Sequence, residues 1–123
     1  SGITGTNLLQ ILETRLDNVV YRAGFARTRP QARQLVNHGH FLVNGKKVDI
    51  PSYQVRVGDV VTIKERSKET FAVQHAIDTI DRSAPEWLDV NVDKRAAAVT
   101  LIPSREQIDT EIKEQLIVEL YSK

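Results

Sequence analysis

Residues 26–48 read ARTRPQARQLVNHGHFLVNGKKV, and two local signals in this stretch decide what the chain builds. The first is Thr28-Arg29-Pro30-Gln31. Threonine followed three residues later by glutamine is a capping-box pattern: the hydroxyl accepts from the Gln31 amide while the Gln31 side chain reaches back. Proline near a helix start costs little, because the amide it lacks has no intrahelical partner there. Ala32, Leu35 and Val36 then face inward on a short helix over about Arg29–His38, and Asn37-His38-Gly39 supplies the stop. The second signal is Asn44-Gly45, flanked by His40–Val43 and Lys46–Ile50. Asn and Gly both tolerate the positive φ that a two-residue hairpin needs at its two central positions.

Outward from there the chain continues in the same α-then-β manner. Upstream, Leu8, Leu9, Leu12, Leu16, Val19 and Val20 recur at helical spacing and predict one helix over about Asn7–Arg22, closed by Gly24. Downstream, Pro51-Ser52 breaks the strand, and VGDVVTIKER supplies a turn and a strand near Val60–Arg66. On that strand Val61 and Ile63 share one face, and Thr62, Lys64 and Arg66 the other. Past Ser67 come a helix over Phe71–Asp81, a strand alternating through Leu88, Val90 and Val92, and its partner over Ala96–Ile102. Ile112, Leu116 and Leu120 mark a helix at the carboxyl end. The fold class is α+β: a short helix pair followed by a small antiparallel sheet, then a helix, a further hairpin and a C-terminal helix. Residues 1–14 read as the end of a preceding helical segment, 15–66 as a binding module, and 67–123 as an extension packing on it.

A chain of 123 residues with 41% apolar content suits one such unit with its own core. No apolar run approaches membrane-spanning length, and no targeting segment is visible. Without cysteine there is no disulfide, thiolate nucleophile or thiolate metal site, which favours the cytosol, and a bacterial or organellar compartment fits equally well. Without methionine, Ser1 is not expected to be a translation start: the chain is either trimmed or the visible part of something longer.

The net charge of +1 conceals an asymmetry. Residues 1–66 carry ten Lys or Arg against five Asp or Glu; residues 67–123 carry seven against eleven. Within 26–48 stand Arg27, Arg29, Arg33, Lys46 and Lys47 without one acidic residue. Arg29 and Arg33 lie four apart on one helix face, where like charges cost a few tenths of a kcal/mol. A helix face and a hairpin tip joined by Gly39 make one electropositive wall, for which RNA phosphate is the natural partner. Gln31, Gln34, Asn37, His38 and His40 add donors for phosphate, ribose or base edges. Tyr53 is positioned to stack on a base, although tyrosine beside a strand break more often packs. Charged residues on a short amphipathic helix are more often just its solvated side, so charge alone is weak evidence. His38 and His40 have metal-like spacing, but neither cysteine nor clustered carboxylates accompany them, so no metal and no cofactor is expected. No nucleophile–base pattern or phosphate loop is present, so no enzyme is expected.

The ordered stretch RLDNVVYRAGFARTRPQARQLVNHGHFLVNGKKVDIPSY (15–53) closely resembles the RNA-binding module of the bacterial-type small-subunit ribosomal protein S-four family. TGTNLLQILE before it and EQLIVELYSK at the end also resemble that family, whose members carry an additional amino-terminal segment, in some with a cysteine zinc site. The resemblance implies a structural constituent and primary RNA binder of the small ribosomal subunit that helps nucleate assembly and influences translational accuracy. It implies as partners the small-subunit ribosomal RNA, ribosomal protein S-five and other small-subunit proteins, with no membrane and no small-molecule substrate. The location it implies is cytoplasmic, in the small subunit, or an organellar ribosome. It puts Arg27, Thr28, Arg29, Gln31, Arg33, Gln34, Asn37 and His38 on a helical RNA face and Lys46 and Lys47 on a hairpin. Arg22, His40 and Tyr53 complete the expected RNA-binding set, and Arg15 with Asp17 shapes the module's first helix. Two alternatives are an RNA-binding module of an RNA-modifying enzyme, such as a pseudouridine synthase, and a protein-interaction module.

Overall fold

The apolar repeat over 7–22 forms two helices, not the single one its spacing predicts: α1 (Gly5–Glu13) and α2 (Leu16–Arg22). The computed structural model describes residues 5–108, so the helix expected at the carboxyl end lies outside the described residues. The break has a hydrogen-bond cause. The Leu16 amide donates to the Tyr53 carbonyl at 2.8 Å and the Asp17 amide to Pro51 at 3.1 Å, in place of carbonyls of α1. Arg15 is extended (φ −61, ψ 145) and bridges Gln54, while the Asn18 side chain donates to the Glu13 carbonyl at 2.6 Å. The end of α1 is therefore capped from inside the module.

The decisive stretch folds as its local signals require. Helix α3 (Arg29–Asn37) starts at Thr28, whose hydroxyl accepts from the Gln31 amide at 3.1 Å. The Gln31 side chain reaches one residue further back than a capping box has it, accepting from the Arg27 amide at 2.7 Å. At the other end Gly39 (φ 77) donates to Val36 and His40 to Leu35, a Schellman stop that requires the left-handed conformation at Gly39. Strands β1 (Phe41–Val43) and β2 (Lys46–Lys47) meet at Asn44 (φ 51) and Gly45 (φ 82), both left-handed as the two-residue turn demands.

Three strands complete an antiparallel sheet in the order β2-β1-β3-β5-β4: β3 (Val60–Ile63), β4 (Leu88–Asn91) and β5 (Ala96–Val99). All are shorter than their sequence patterns predict. After Ile63, only the Lys64 amide still reaches β1, donating to His40 at 2.9 Å, and Glu65–Ser67 coils into a 3-10 turn. Arg66 is therefore not on the strand face expected for it. Val92 lies beyond β4, and Leu101 and Ile102 beyond β5, all three exposed. On β2, Lys46 and Lys47 pair with Val43 and Leu42. Beyond Lys47 only the Val48 amide reaches across, to Phe41 at 3.3 Å. The hairpin after Ser67 joins the sheet of the first half through β3–β5, with Val61 opposite Ala97.

The sheet's inward residues Phe41, Val43, Val61, Ile63, Ala97 and Val99 pack with Leu16, Val19, Val20, Phe25, Leu35 and Val36 of the helical layer. Phe25 and Phe41 stack with ring centroids 6.4 Å apart. Trp87 is fully buried, and helix α4 (Phe71–Thr79) contributes Val73 to the same core. At about 1.5–3 kcal/mol per fully buried large apolar side chain, this core fixes the α3–hairpin geometry against which the polar face is built. The architecture is α+β.

Candidate nucleic-acid interface

The Schellman turn at Gly39 leads helix α3 directly into the β1–β2 hairpin, and Leu35 and Val36 share a core with Phe41 and Val43. A Cβ on Gly39 would sit 2.6 Å from Cε of Lys47, so the Lys47 stem runs across the helix end. A cation there also complements the negative end of the α3 dipole. From this corner Arg33, Gln34, Asn37, His38, Lys46 and Lys47 all reach solvent. Among the described residues no carboxylate stands within ion-pair distance of Arg33, Lys46 or Lys47.

A shallow concavity opens where the end of α1, α2 and α3 meet, lined by Leu12, Arg15, Asp17, Asn18, Arg29, Pro30 and Arg33. Three guanidinium groups face one carboxylate in it. That carboxylate is held by Arg15, with Nε and Nη2 at 3.1 and 3.2 Å from the two Asp17 oxygens. Arg29 and Arg33 line the same concavity, and Arg33 is exposed beside it.

Several residues expected on the RNA face have internal partners. Arg22 donates from Nε to Oε1 of the fully buried Glu13 at 2.8 Å. Arg29 donates from Nε to the Asn18 side chain at 3.0 Å and lies over the Tyr21 ring, 4.5 Å from its centroid. Arg27 meets the Nε2 of His75 at 3.2 Å and the Thr79 hydroxyl at 3.0 Å. His40 Nδ1 lies 2.8 Å from the buried Ser67 hydroxyl. Burial first, then the neighbouring Lys64 and His38, lowers the His40 pKa from its ordinary value. The His38 and His40 rings stand 6.4 Å apart, and among the described residues no group of three or more His, Asp or Glu is placed to hold a metal. Tyr53 uses its backbone carbonyl to start α2 and leaves its side chain 37% exposed.

Residues missed by sequence reasoning complete the corner. Tyr21 is the hub: Arg82 covers its ring at 3.9 Å, while Arg29 and Arg22 lie at 4.5 and 5.7 Å. Arg82 also donates from Nη2 to the carbonyls of Tyr21 (2.7 Å) and Ala26 (3.1 Å), pinning the α2–α3 loop from the far end of the chain. Burial lowers the Arg82 pKa, with the Tyr21 ring favouring the cation. Nothing local in DRSAPEW signals that role.

Comparison with known proteins gives a consistent picture. Residues 14–61 match the S4 domain. The chain is 57% identical, over 122 residues, to the small ribosomal subunit protein uS4 of Thermoanaerobacter sp. (strain X514), covering 99% of this chain and 59% of that protein. It is 58% identical over 123 residues to the uS4 of Acetivibrio thermocellus, again covering 99% and 59%. With the uS4 of Acidothermus cellulolyticus the identity is 57% over 125 residues, covering 100% and 60%. The chain spans about three-fifths of the length of these relatives.

Proposed function

Because the chain belongs with the uS4 small-subunit ribosomal proteins over the part of them that it spans, we propose that it is an RNA-binding structural constituent of the small ribosomal subunit. The observation that carries this is the α3–hairpin corner, inside the matched S4 domain, where Arg33, Lys46 and Lys47 stand in solvent without a carboxylate partner among the described residues. Similarity to uS4 also continues past residue 61 to cover nearly the whole chain, which a module borrowed by an RNA-modifying enzyme does not require.

The mechanism is positioning without covalent chemistry. Residues 15–66 present a preformed wall to ribosomal RNA, and residues 67–108 pack on them. Arg33, Lys46 and Lys47 neutralise phosphates and release condensed counterions. Gln34, Asn37 and His38 read ribose and groove shape, which discriminate an RNA junction from a plain duplex. Arg29, held on Tyr21, lines the concavity it shares with Arg33. Binding to one RNA fold lowers its free energy against competitors, and assembly of the subunit is promoted. In this reading the protein acts in the cytoplasm within the subunit, the carboxyl-terminal half meets ribosomal protein S-five, and decoding accuracy responds to that contact.

Equilibrium binding to small-subunit ribosomal RNA across a salt series, with transfer RNA as competitor, tests this. The triple variant Arg33→Gln/Lys46→Gln/Lys47→Gln should keep its fold and lose about two to three units of log–log slope, at roughly 0.9 per phosphate contact. A variant with wild-type slope and affinity would remove this corner from the RNA interface.

A further inference from the structure

On the premise that this chain binds ribosomal RNA, we propose that the exposed side of α4 is a second part of the interface, a stacking platform for an unpaired base made by Phe71 and His75. It lies outside the matched S4 domain and on the half of the chain whose net charge is negative. Phe71 is 79% exposed, the highest of the exposed large apolar side chains. A single exposed apolar residue is ordinary, but this one is organised. His75, one turn along, lies nearly parallel to it, with ring centroids 5.3 Å apart and an interplanar angle of 9°. Thr79 continues the same stripe and donates to the His75 carbonyl at 2.7 Å.

The stripe is tied to the basic corner through one residue. Arg27, next to the cap of α3, places Nη1 3.2 Å from His75 Nε2 and 3.0 Å from the Thr79 hydroxyl. Arginine has only donors, so Nε2 accepts and the His75 ring carries its proton on Nδ1. The ring is thereby held parallel to Phe71 while a guanidinium stands at its edge. The stripe itself holds no carboxylate, and Asp78 on the adjoining side is engaged by Gln74 at 2.9 Å.

Flat parallel rings with a cation at the edge match the two surfaces of a nucleotide, the base face and the phosphate. Unpaired bases splayed from RNA are recognised in this way. A protein partner would call for a contiguous apolar patch, whereas here one phenyl group is set among His75, Thr79 and Arg27.

The same binding assay distinguishes this from the basic corner. Phe71→Ala should weaken binding to small-subunit ribosomal RNA by about 5- to 150-fold, the range for losing one base–aromatic stack. The salt slope should stay parallel to wild type, because no phosphate contact is lost. Phe71→Tyr should restore most of the affinity, and thermal unfolding should be unchanged in both variants. Wild-type affinity in Phe71→Ala refutes the platform while leaving the basic corner standing. A flattened slope refutes it too, since the loss would then come through a displaced Arg27. Failure of the wild-type chain to prefer ribosomal RNA over transfer RNA removes both readings together.

Discussion

Arg22 offers the sharpest test of how charge is used in this fold. It was expected on the RNA face, yet its Nε lies 2.8 Å from Oε1 of Glu13, whose side chain is 0% exposed while that of Arg22 is 15% exposed. Glu13 ends α1 and Arg22 lies in the last turn of α2, so the pair ties together the helices that the Leu16 and Asp17 amides force apart. An exposed ion pair contributes about 0.2–1 kcal/mol. Removing one partner of a buried pair costs about 3–5 kcal/mol, because the other charge stays in the protein without compensation. The burial of Glu13 puts Arg22→Ala near the lower end of that second range, about 3 kcal/mol, since the arginine itself retains some water.

A double variant separates desolvation from packing. Glu13→Leu/Arg22→Met leaves no buried charge and should lie within about 1 kcal/mol of wild type, well above either single truncation. The measurement is urea unfolding at neutral pH, with unchanged m-values as the check that only stability has moved. The salt slope of RNA binding, taken where the variants are folded, should match wild type because the Arg22 guanidinium is occupied by Glu13. A cost for Arg22→Ala below about 1 kcal/mol would mean that the pair behaves as a surface pair. A slope lowered by about 0.9 would restore Arg22 to the RNA face.

Gly39→Ala should destabilise the fold by about 1–2 kcal/mol from the left-handed backbone alone, and its Cβ must also displace the Lys47 stem. Urea midpoints and RNA affinity should therefore fall together, and unchanged values for both would contradict the tight Gly39–Lys47 approach. The lowered pKa of His40 gives stability that is complete above its unfolded value of about 6.5 and declines as pH falls below it toward the folded pKa. Unfolding midpoints of wild type and His40→Gln, measured from pH 8 to 5, should converge at the acid end. Parallel profiles would show that burial and the neighbouring Lys64 and His38 do not disfavour the charged ring.

What could be read from the sequence was whatever its cause lies within a few residues of. Thr28 and Gln31 are three positions apart, Gly39 closes the turn it follows, and Asn44-Gly45 makes a hairpin from its own φ angles. These elements fold as expected because the hydrogen bonds that define them are local. The single helix over 7–22 failed for the opposite reason: the Leu16 and Asp17 amides bond to Tyr53 and Pro51, and no periodicity in the first twenty-two residues contains that information. The site divides along the same line. That arginines crowd this region is visible in composition, but where each guanidinium goes is a tertiary matter. Arg27 is bound by His75 and Thr79, Arg22 by Glu13, and Arg29 is laid on Tyr21. Arg82, from the half of the chain with an acidic balance, closes over the same ring and holds the loop from which α3 starts. A basic wall read as a row of equivalent charges thus resolves into two classes. Some cations build the corner and are engaged by internal partners, whereas among the described residues Arg33, Lys46 and Lys47 stand clear of carboxylates. Affinity should follow the second class and stability the first, so variants in the two classes should move different observables.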